Sequence, residues 1–208
     1  MQAIDGIFFV AVLIMSVIVH EFSHGYTAYL LGDNTARLSG RLTLNPIKHL
    51  DLFGSFILPL FLILSGTQFV IGWAKPVPYN PDNVRNGRWG TLLVSASGVI
   101  ANIVIAILFG LIIRFGPSVL GISMYSPFYI ISATIVQVNL VLALFNLIPI
   151  PPLDGSKILF SFLPVKYNYI ENFLERWGIF LLIFFIIFLW NSLAPLINIA
   201  FSFITGLY

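Results

Sequence analysis

Long apolar runs separated by short polar stretches make up most of the chain. The runs cover residues 4–31, 52–71, 89–115, 128–148 and 177–207, the last of which forms one or two spans. Gly32 follows the first run and is a natural C-terminal cap for a helix. Apolar stretches of this length are typical of helices that cross a bilayer. The pattern predicts an all-α polytopic membrane protein with about five to six transmembrane or re-entrant helices.

The polar stretches between the runs predict the connections. In residues 32–50, polar and apolar positions alternate around Ser39-Gly40, which predicts a short β-hairpin or sheet after the first helix. Residues 72–88 read as a loop rich in Pro, Asn and Gly. We expect one integral-membrane domain over residues 1–208, with a core at 4–163 and a C-terminal membrane segment at 177–207.

Composition supports the membrane assignment. The chain is 59% hydrophobic and 9% charged, with a mean hydropathy of +0.99, whereas soluble domains carry roughly 25% charged residues. The net charge of +2 and the lack of a basic run give no support for nucleic-acid binding. Because the chain has no cysteine, any metal must be held by His, Asp or Glu.

The basic residues indicate the orientation in the membrane. The loop after the first helix carries Arg37, Arg41 and Lys48, and residues 72–88 carry Lys75, Arg85 and Arg88. Both loops lie on the cytoplasmic side only if residues 52–71 enter and leave the membrane on one face. We therefore predict a re-entrant hairpin at 52–71.

The first apolar run contains an H-E-x-x-H motif formed by His20, Glu21 and His24. Two histidines four residues apart lie on one face of a helix, at the spacing that a zinc ion requires, and the adjacent glutamate can act as a base. Polar side chains at membrane depth each cost a few kcal/mol unless they are paired or coordinate a metal. The motif therefore predicts a metal site within the bilayer.

Asp154 is the best candidate for a third ligand among the few acidic residues. It follows a helix that ends in a proline cluster, and it precedes Gly155. A broken helix at membrane depth is tolerated where it is buried or lines a wet cavity. The predicted orientation places Asp154 in the cytoplasmic half of the bilayer. His20 lies in the same half, about 18 Å before the end of the first helix at Gly32.

Three separated stretches resemble the site-2 proteases, a family of zinc metalloproteases that cut within membranes. Residues 20–24 match the family's H-E-x-x-H motif, and residues 146–155 match N-x-x-P-x-P-x-L-D-G. Residues 97–102 match S-G-P-x-x-N, except that Val99 replaces the proline. The likeness covers most of residues 15–160. The matching stretches include no PDZ or CBS segment. The resemblance is therefore to a minimal prokaryotic form of the family.

The resemblance implies one zinc ion per chain, held by His20, His24 and Asp154, with Glu21 as the catalytic base. It also implies that Asn102 and Asn146 hold the substrate backbone or support the site. The alternative for each asparagine is an ordinary interhelical hydrogen bond, worth about 0.6 kcal/mol.

The implied function is hydrolysis of peptide bonds within or near transmembrane segments, either in regulated intramembrane proteolysis or in clearance of membrane peptides. The expected partners are the lipid bilayer and single-span membrane proteins or peptides, which could add to strand edges at residues 40–45 and 72–77. The expected location is a prokaryotic plasma membrane, with the active site in the cytoplasmic half. The alternatives are a polytopic metal-binding transporter and a non-catalytic membrane scaffold.

Overall fold

The computed structural model of the chain describes residues 3–57, 61, 64–65, 74–119 and 121–207. These residues form seven α-helices and contain no strand. The helices are α1 (Ala3–Leu30), α2 (Thr35–Leu38), α3 (Gly87–Val119), α4 (Pro127–Asn146), α5 (Asp154–Phe162), α6 (Asn168–Phe188) and α7 (Trp190–Thr205). Shorter helical turns lie at Pro46–His49, Leu52–Ile57, Pro81–Asn83 and Val165–Tyr167.

Three helices in the described residues are long and apolar enough to cross a membrane: α1 from Phe8 onward, α3 and α4. A fourth span is possible if α6 and α7, which are bent by 73° at their junction, cross as one unit. The described residues thus hold three or four candidate spans, whereas the sequence predicts five to six transmembrane or re-entrant helices over the whole chain. Helix α5 is only nine residues long, or about 14 Å, which is too short to cross a bilayer. The re-entrant hairpin expected at 52–71 lies largely outside the described residues.

The predicted β-hairpin around Ser39-Gly40 is wrong. Gly40, at φ +64°, follows α2 in the left-handed conformation that ends many helices. The amide of Arg41 donates to the Ala36 carbonyl, and the amide of Gly40 donates to the Arg37 carbonyl, both at 3.0 Å. These two bonds form a Schellman motif, so Ser-Gly here ends a helical turn. Residues 40–45 do not belong to a strand.

Helix α3 lies at the centre of the bundle, where it contacts α1, α4, α5 and α7. The main buried apolar cluster joins α3, α4 and α7 and consists of Ala106, Ile113, Tyr129, Val136, Leu140 and Ile197. Many large apolar side chains on the outside of the helices are exposed, among them Phe8 and Leu108. An apolar outer surface suits contact with lipid, so the packing agrees with an integral membrane protein.

The buried carboxylate of Asp33 joins the end of α1 to residues 74–83. It accepts hydrogen bonds from the Thr35 hydroxyl at 2.5 Å, from the Asn80 amide at 2.7 Å, from the Thr35 amide at 3.1 Å and from the Asn83 side chain at 3.2 Å. Burial acts to raise the pKa of Asp33, but these hydrogen bonds outweigh it and hold the pKa below its usual range. Asp33 therefore fixes one end of the extended segment at residues 74–80.

We expect Asp33→Asn to lower the free energy of unfolding by about 1–3 kcal/mol, because the amide cannot accept all four hydrogen bonds. A depressed pKa stabilises the folded state above the ordinary pKa of 3.8, and this contribution is lost as the pH falls through the folded value. Thermal unfolding in detergent should show the stability difference between wild type and variant shrinking below about pH 4. A constant difference across this range would contradict the prediction.

Candidate metal centre

His20 and His24 lie one turn apart on the face of α1 that packs against α3. Both imidazoles are buried, with their ring centroids 4.6 Å apart and their Nε2 atoms 3.1 Å apart. The spacing of four residues brings both rings to one side of the helix. The H-E-x-x-H motif is therefore presented to the interior of the bundle.

Asp154 completes this group from the start of α5. Its Oδ2 lies 3.0 Å from the Nε2 of each histidine. The chain reaches this point because α4 ends at Asn146 and the prolines that follow break the helix before α5 begins. Gly155 is buried where any side chain would collide with the Leu147 carbonyl. The positive end of the α5 dipole also favours a carboxylate here.

The hydrogen bonds on the far side of each imidazole show that the three atoms fit a metal. The Nδ1 of His24 lies 2.7 Å from the Val94 carbonyl, and the Nδ1 of His20 lies 2.6 Å from the Oδ1 of Asn102. A carbonyl oxygen can only accept, so in the neutral imidazole the proton resides on Nδ1 and Nε2 presents a lone pair. Three lone-pair atoms then converge, and among the described residues the Oδ2 of Asp154 has no hydrogen-bond donor.

Such a cluster of acceptors is costly in the protein interior unless a cation joins them. The separations of 3.0–3.1 Å resemble the distance of about 3.3 Å between tetrahedral ligands of zinc. Two neutral imidazoles and one carboxylate are also a ligand set that catalytic zinc sites use. The donor set therefore fits a tetrahedral divalent metal with one position left for water or substrate.

A cavity of about 140 Å³ opens beside the three ligand atoms, which is space for several water molecules. Its lining comprises His20, Glu21, His24, Pro76, Val77, Tyr79, Ser95, Asn146, Pro152, Asp154 and Lys157. The Oε2 of Glu21 accepts a hydrogen bond from the Val77 amide at 2.8 Å. The extended segment at residues 74–80 thus orients the glutamate within the cavity.

The structure separates the two asparagines that the sequence singled out. Asn102 is completely buried behind His20 and does not line the cavity. Asn146 lines the cavity, and its side chain donates one hydrogen bond to the Leu142 carbonyl at 3.0 Å. The third histidine, His49, is buried elsewhere, with Nε2 2.7 Å from the Thr43 carbonyl. It does not belong to the metal group.

Two polar side chains at the site were missed by the sequence analysis. Lys157 lines the cavity one turn after Asp154, and its ammonium lies 5.3 Å from the centre of the Tyr79 ring. Its spacing of three residues from Asp154 could have revealed it. Ser95 also lines the cavity, and among the described residues its buried hydroxyl has no hydrogen-bond partner. Nothing in the sequence distinguishes Ser95 from the other serines of α3.

Gly98 on α3 leaves the space that both imidazoles occupy. A Cβ atom at this position would lie 2.6 Å from ring atoms of both His20 and His24. Atoms do not approach that closely without displacement, so only glycine allows α1 and α3 to pack with the rings between them.

We therefore expect Gly98→Ala to push the imidazoles out of position and weaken metal binding by about 10–100-fold, the usual cost of disturbing the support of a ligand. Metal content of the purified protein, measured by mass spectrometry, tests this. Gly6→Ala on α1, where a Cβ meets open space, is the matched control and should retain the metal. A full complement of tightly bound metal in Gly98→Ala would contradict the geometry.

Comparison with known proteins gives a consistent set of relatives. The chain is 37% identical over 193 residues to YwhC of Bacillus subtilis, whose name describes it as a zinc metalloprotease. The match covers 91% of this chain and 81% of YwhC. It is 29% identical over 185 residues to Rip2 of Mycolicibacterium smegmatis, described in the same way, with 88% of this chain and 68% of Rip2 covered. A sequence profile of peptidase family M50 matches residues 122–189. No solved structure matches the chain significantly.

Proposed function

Since the chain belongs to the site-2 proteases, peptidase family M50, we propose that it is a zinc-dependent endopeptidase that hydrolyses peptide bonds within or near membrane-spanning segments. The observation that carries the proposal is the convergence of His20, His24 and Asp154 beside the carboxylate of Glu21 in one cavity. A peptidase needs a metal site and a base at one place, and these four side chains supply both.

His20, His24 and Asp154 would hold the zinc ion, which would supply Lewis acidity to lower the pKa of a water molecule and to polarise the substrate carbonyl. Glu21 takes a proton from that water as its oxygen forms a bond to the carbonyl carbon. The glutamic acid then gives this proton to the amide nitrogen as the C–N bond breaks. The hydrogen bond from Val77 to Oε2 holds the Glu21 carboxylate in one orientation during both transfers.

Asn146 and Lys157 are the hydrogen-bond donors that we propose for substrate binding. Both line the cavity beside the ligand atoms. The Asn146 amide has a second N–H beyond the one that donates to Leu142. Either donor can stabilise the negative charge that develops on the carbonyl oxygen. Asn102, in contrast, supports His20 from outside the cavity.

The surroundings of the site support a membrane-embedded substrate. His20 and His24 lie on α1, which is one of the candidate spans. An apolar groove of about 450 Å³ lies between α1 and α3 and includes Ser97, whose hydroxyl is 3.5 Å from the Nδ1 of His24. We propose that an apolar peptide segment reaches the site along this groove.

The ends of the spans support a site in the cytoplasmic half of a prokaryotic plasma membrane. The amide of Arg85 donates to the carbonyl of Leu31, so the end of α1 and the start of α3 meet on the same side of the bundle. Arg37, Arg85 and Arg88 all lie near this end, and basic loops favour the cytoplasm. His20 is about 15 Å from the end of α1 at Leu30, which is within the same half of the bilayer.

We expect Glu21→Gln to abolish cleavage of a co-expressed single-span reporter while zinc remains bound. Loss of a general acid–base residue costs about 10²–10⁴-fold in rate, and glutamine keeps the shape of the side chain. Cleavage is measured by the mobility of the reporter on gels, and zinc by mass spectrometry. A transporter would instead move metal into proteoliposomes in wild type and variant alike, and a scaffold would do neither.

We expect Asp154→Ala to reduce bound zinc from about one ion per chain to near none, because two imidazoles alone bind the metal weakly. Asp82→Ala, which removes a carboxylate from the Pro81–Asn83 turn away from the cavity, should keep its zinc. Unchanged zinc in Asp154→Ala would remove this residue from the ligand set and contradict the proposed site.

A further inference from the structure

We infer that Asn139, through Asn102, selects the tautomer of His20 that can bind a metal. The two asparagines are completely buried, and the Nδ2 of Asn102 donates to the Oδ1 of Asn139 at 2.8 Å. Asn139 lies on α4 and is not among the residues that line the cavity. It is therefore a positioning residue, and the inference rests on the metal site proposed above.

The orientation of the Asn102 amide decides whether His20 can bind a metal. With Oδ1 toward the ring, Asn102 accepts the proton of Nδ1, and Nε2 presents a lone pair to the ligand group. With the amide reversed, the NH₂ group would donate to Nδ1 and the proton would move to Nε2, where it blocks coordination. The two orientations have almost the same shape, so packing alone does not choose between them.

The main-chain carbonyl of Ile135 determines the orientation of both amides. The Nδ2 of Asn139 donates to the carbonyl of Ile135 at 2.8 Å and to the hydroxyl of Ser16 at 2.9 Å. The hydroxyl can donate or accept, but the carbonyl can only accept, so the NH₂ group of Asn139 must point toward Ile135. The Oδ1 of Asn139 then points toward Asn102 and requires a donor there.

A chain of hydrogen bonds runs from the Ile135 carbonyl through Asn139 and Asn102 to His20, and each bond fixes the orientation of the next side chain. Because Asn139 presents an oxygen, Asn102 turns its NH₂ group toward it and its own oxygen toward His20. His24 reaches the same state directly, since its Nδ1 faces the Val94 carbonyl. The tautomer of each imidazole is thus determined by a backbone carbonyl. The carbonyl acts directly on His24 and through two side-chain amides on His20. Outer groups that fix the tautomer of a ligand usually contribute about 10–100-fold to metal affinity.

The test uses Asn139→Leu in the full chain purified in detergent. The first readout is the tautomer of His20 in the metal-free protein, from the ¹⁵N chemical shifts of labelled histidine, of which the chain has 3. The second is zinc affinity by competition with a chelating indicator. We expect protonation of Nε2 to appear in Asn139→Leu and zinc affinity to fall by about 10–100-fold. A folded Asn139→Leu with the wild-type tautomer and affinity would overturn the inference.

Two controls separate this role from a structural one. Ser132→Ala removes another buried hydroxyl of α4, which donates to the Phe128 carbonyl, and should leave the tautomer and zinc affinity unchanged. Ser16→Ala should do the same, because the Ile135 carbonyl still orients Asn139. An effect of either control as large as that of Asn139→Leu would count against the inference.

A second substitution should rescue the first. In the double variant Asn102→Asp/Asn139→Leu, a carboxylate at position 102 can only accept from His20, so the tautomer no longer depends on position 139. We expect wild-type zinc affinity to return.

If Asn139→Leu fails to fold, Asn139→Asp keeps an acceptor toward Asn102 and should retain the tautomer. Loss of the wild-type tautomer in a folded Asn139→Asp variant would overturn the inference. Because the tautomer is read without metal, the result stands apart from any test of proteolysis.

Discussion

Three acceptor atoms held about 3 Å apart in the interior of a helical bundle are the constraint on which the rest of the structure depends. When the imidazoles are neutral, the Nε2 atoms of His20 and His24 and the Oδ2 of Asp154 each present a lone pair, so they do not stabilise one another. A cation turns this unfavourable arrangement into a stable one. The bundle must therefore hold these atoms together while the metal is absent, and several features far from the ligands serve that purpose.

Those features come from three different helices. On α3, Gly98 leaves room for the rings and the Val94 carbonyl orients His24. On α4, Asn139 faces Asn102 and passes on the polarity of a backbone carbonyl. The break between α4 and α5 brings Asp154 to the opposite side of the ligand group. The helices that cross the membrane thus position ligands whose local environment is polar.

The loops position the base in a similar way. The carboxylate of Asp33 holds residues 80–83 at the end of α1, and the Lys75 amide donates to the His49 carbonyl at 2.8 Å. The segment between these anchors runs past Glu21, where the Val77 amide reaches its carboxylate. Residues that look like simple turn formers in the sequence therefore control the orientation of the proposed catalytic base.

The sequence by itself determined the chemistry of the ligands and the face of α1 that carries them. A spacing of four residues and an apolar surrounding are local properties, so His20, Glu21 and His24 could be found without a structure. The helix break that marks Asp154 is local too. The pattern at Ser39-Gly40 was misread, because the same two residues can end a helical turn or form a hairpin.

Only the tertiary structure decided which distant groups meet. The approach of Asp154 to the histidines, the reach of Val77 to Glu21 and the path from Ile135 to His20 all join residues on different elements. Such contacts depend on how helices pack, and periodicity along one helix carries no information about the register of its neighbour. For that reason Asn139, an amide within an apolar helix, acquired a role only when its partners on α1 and α3 were known.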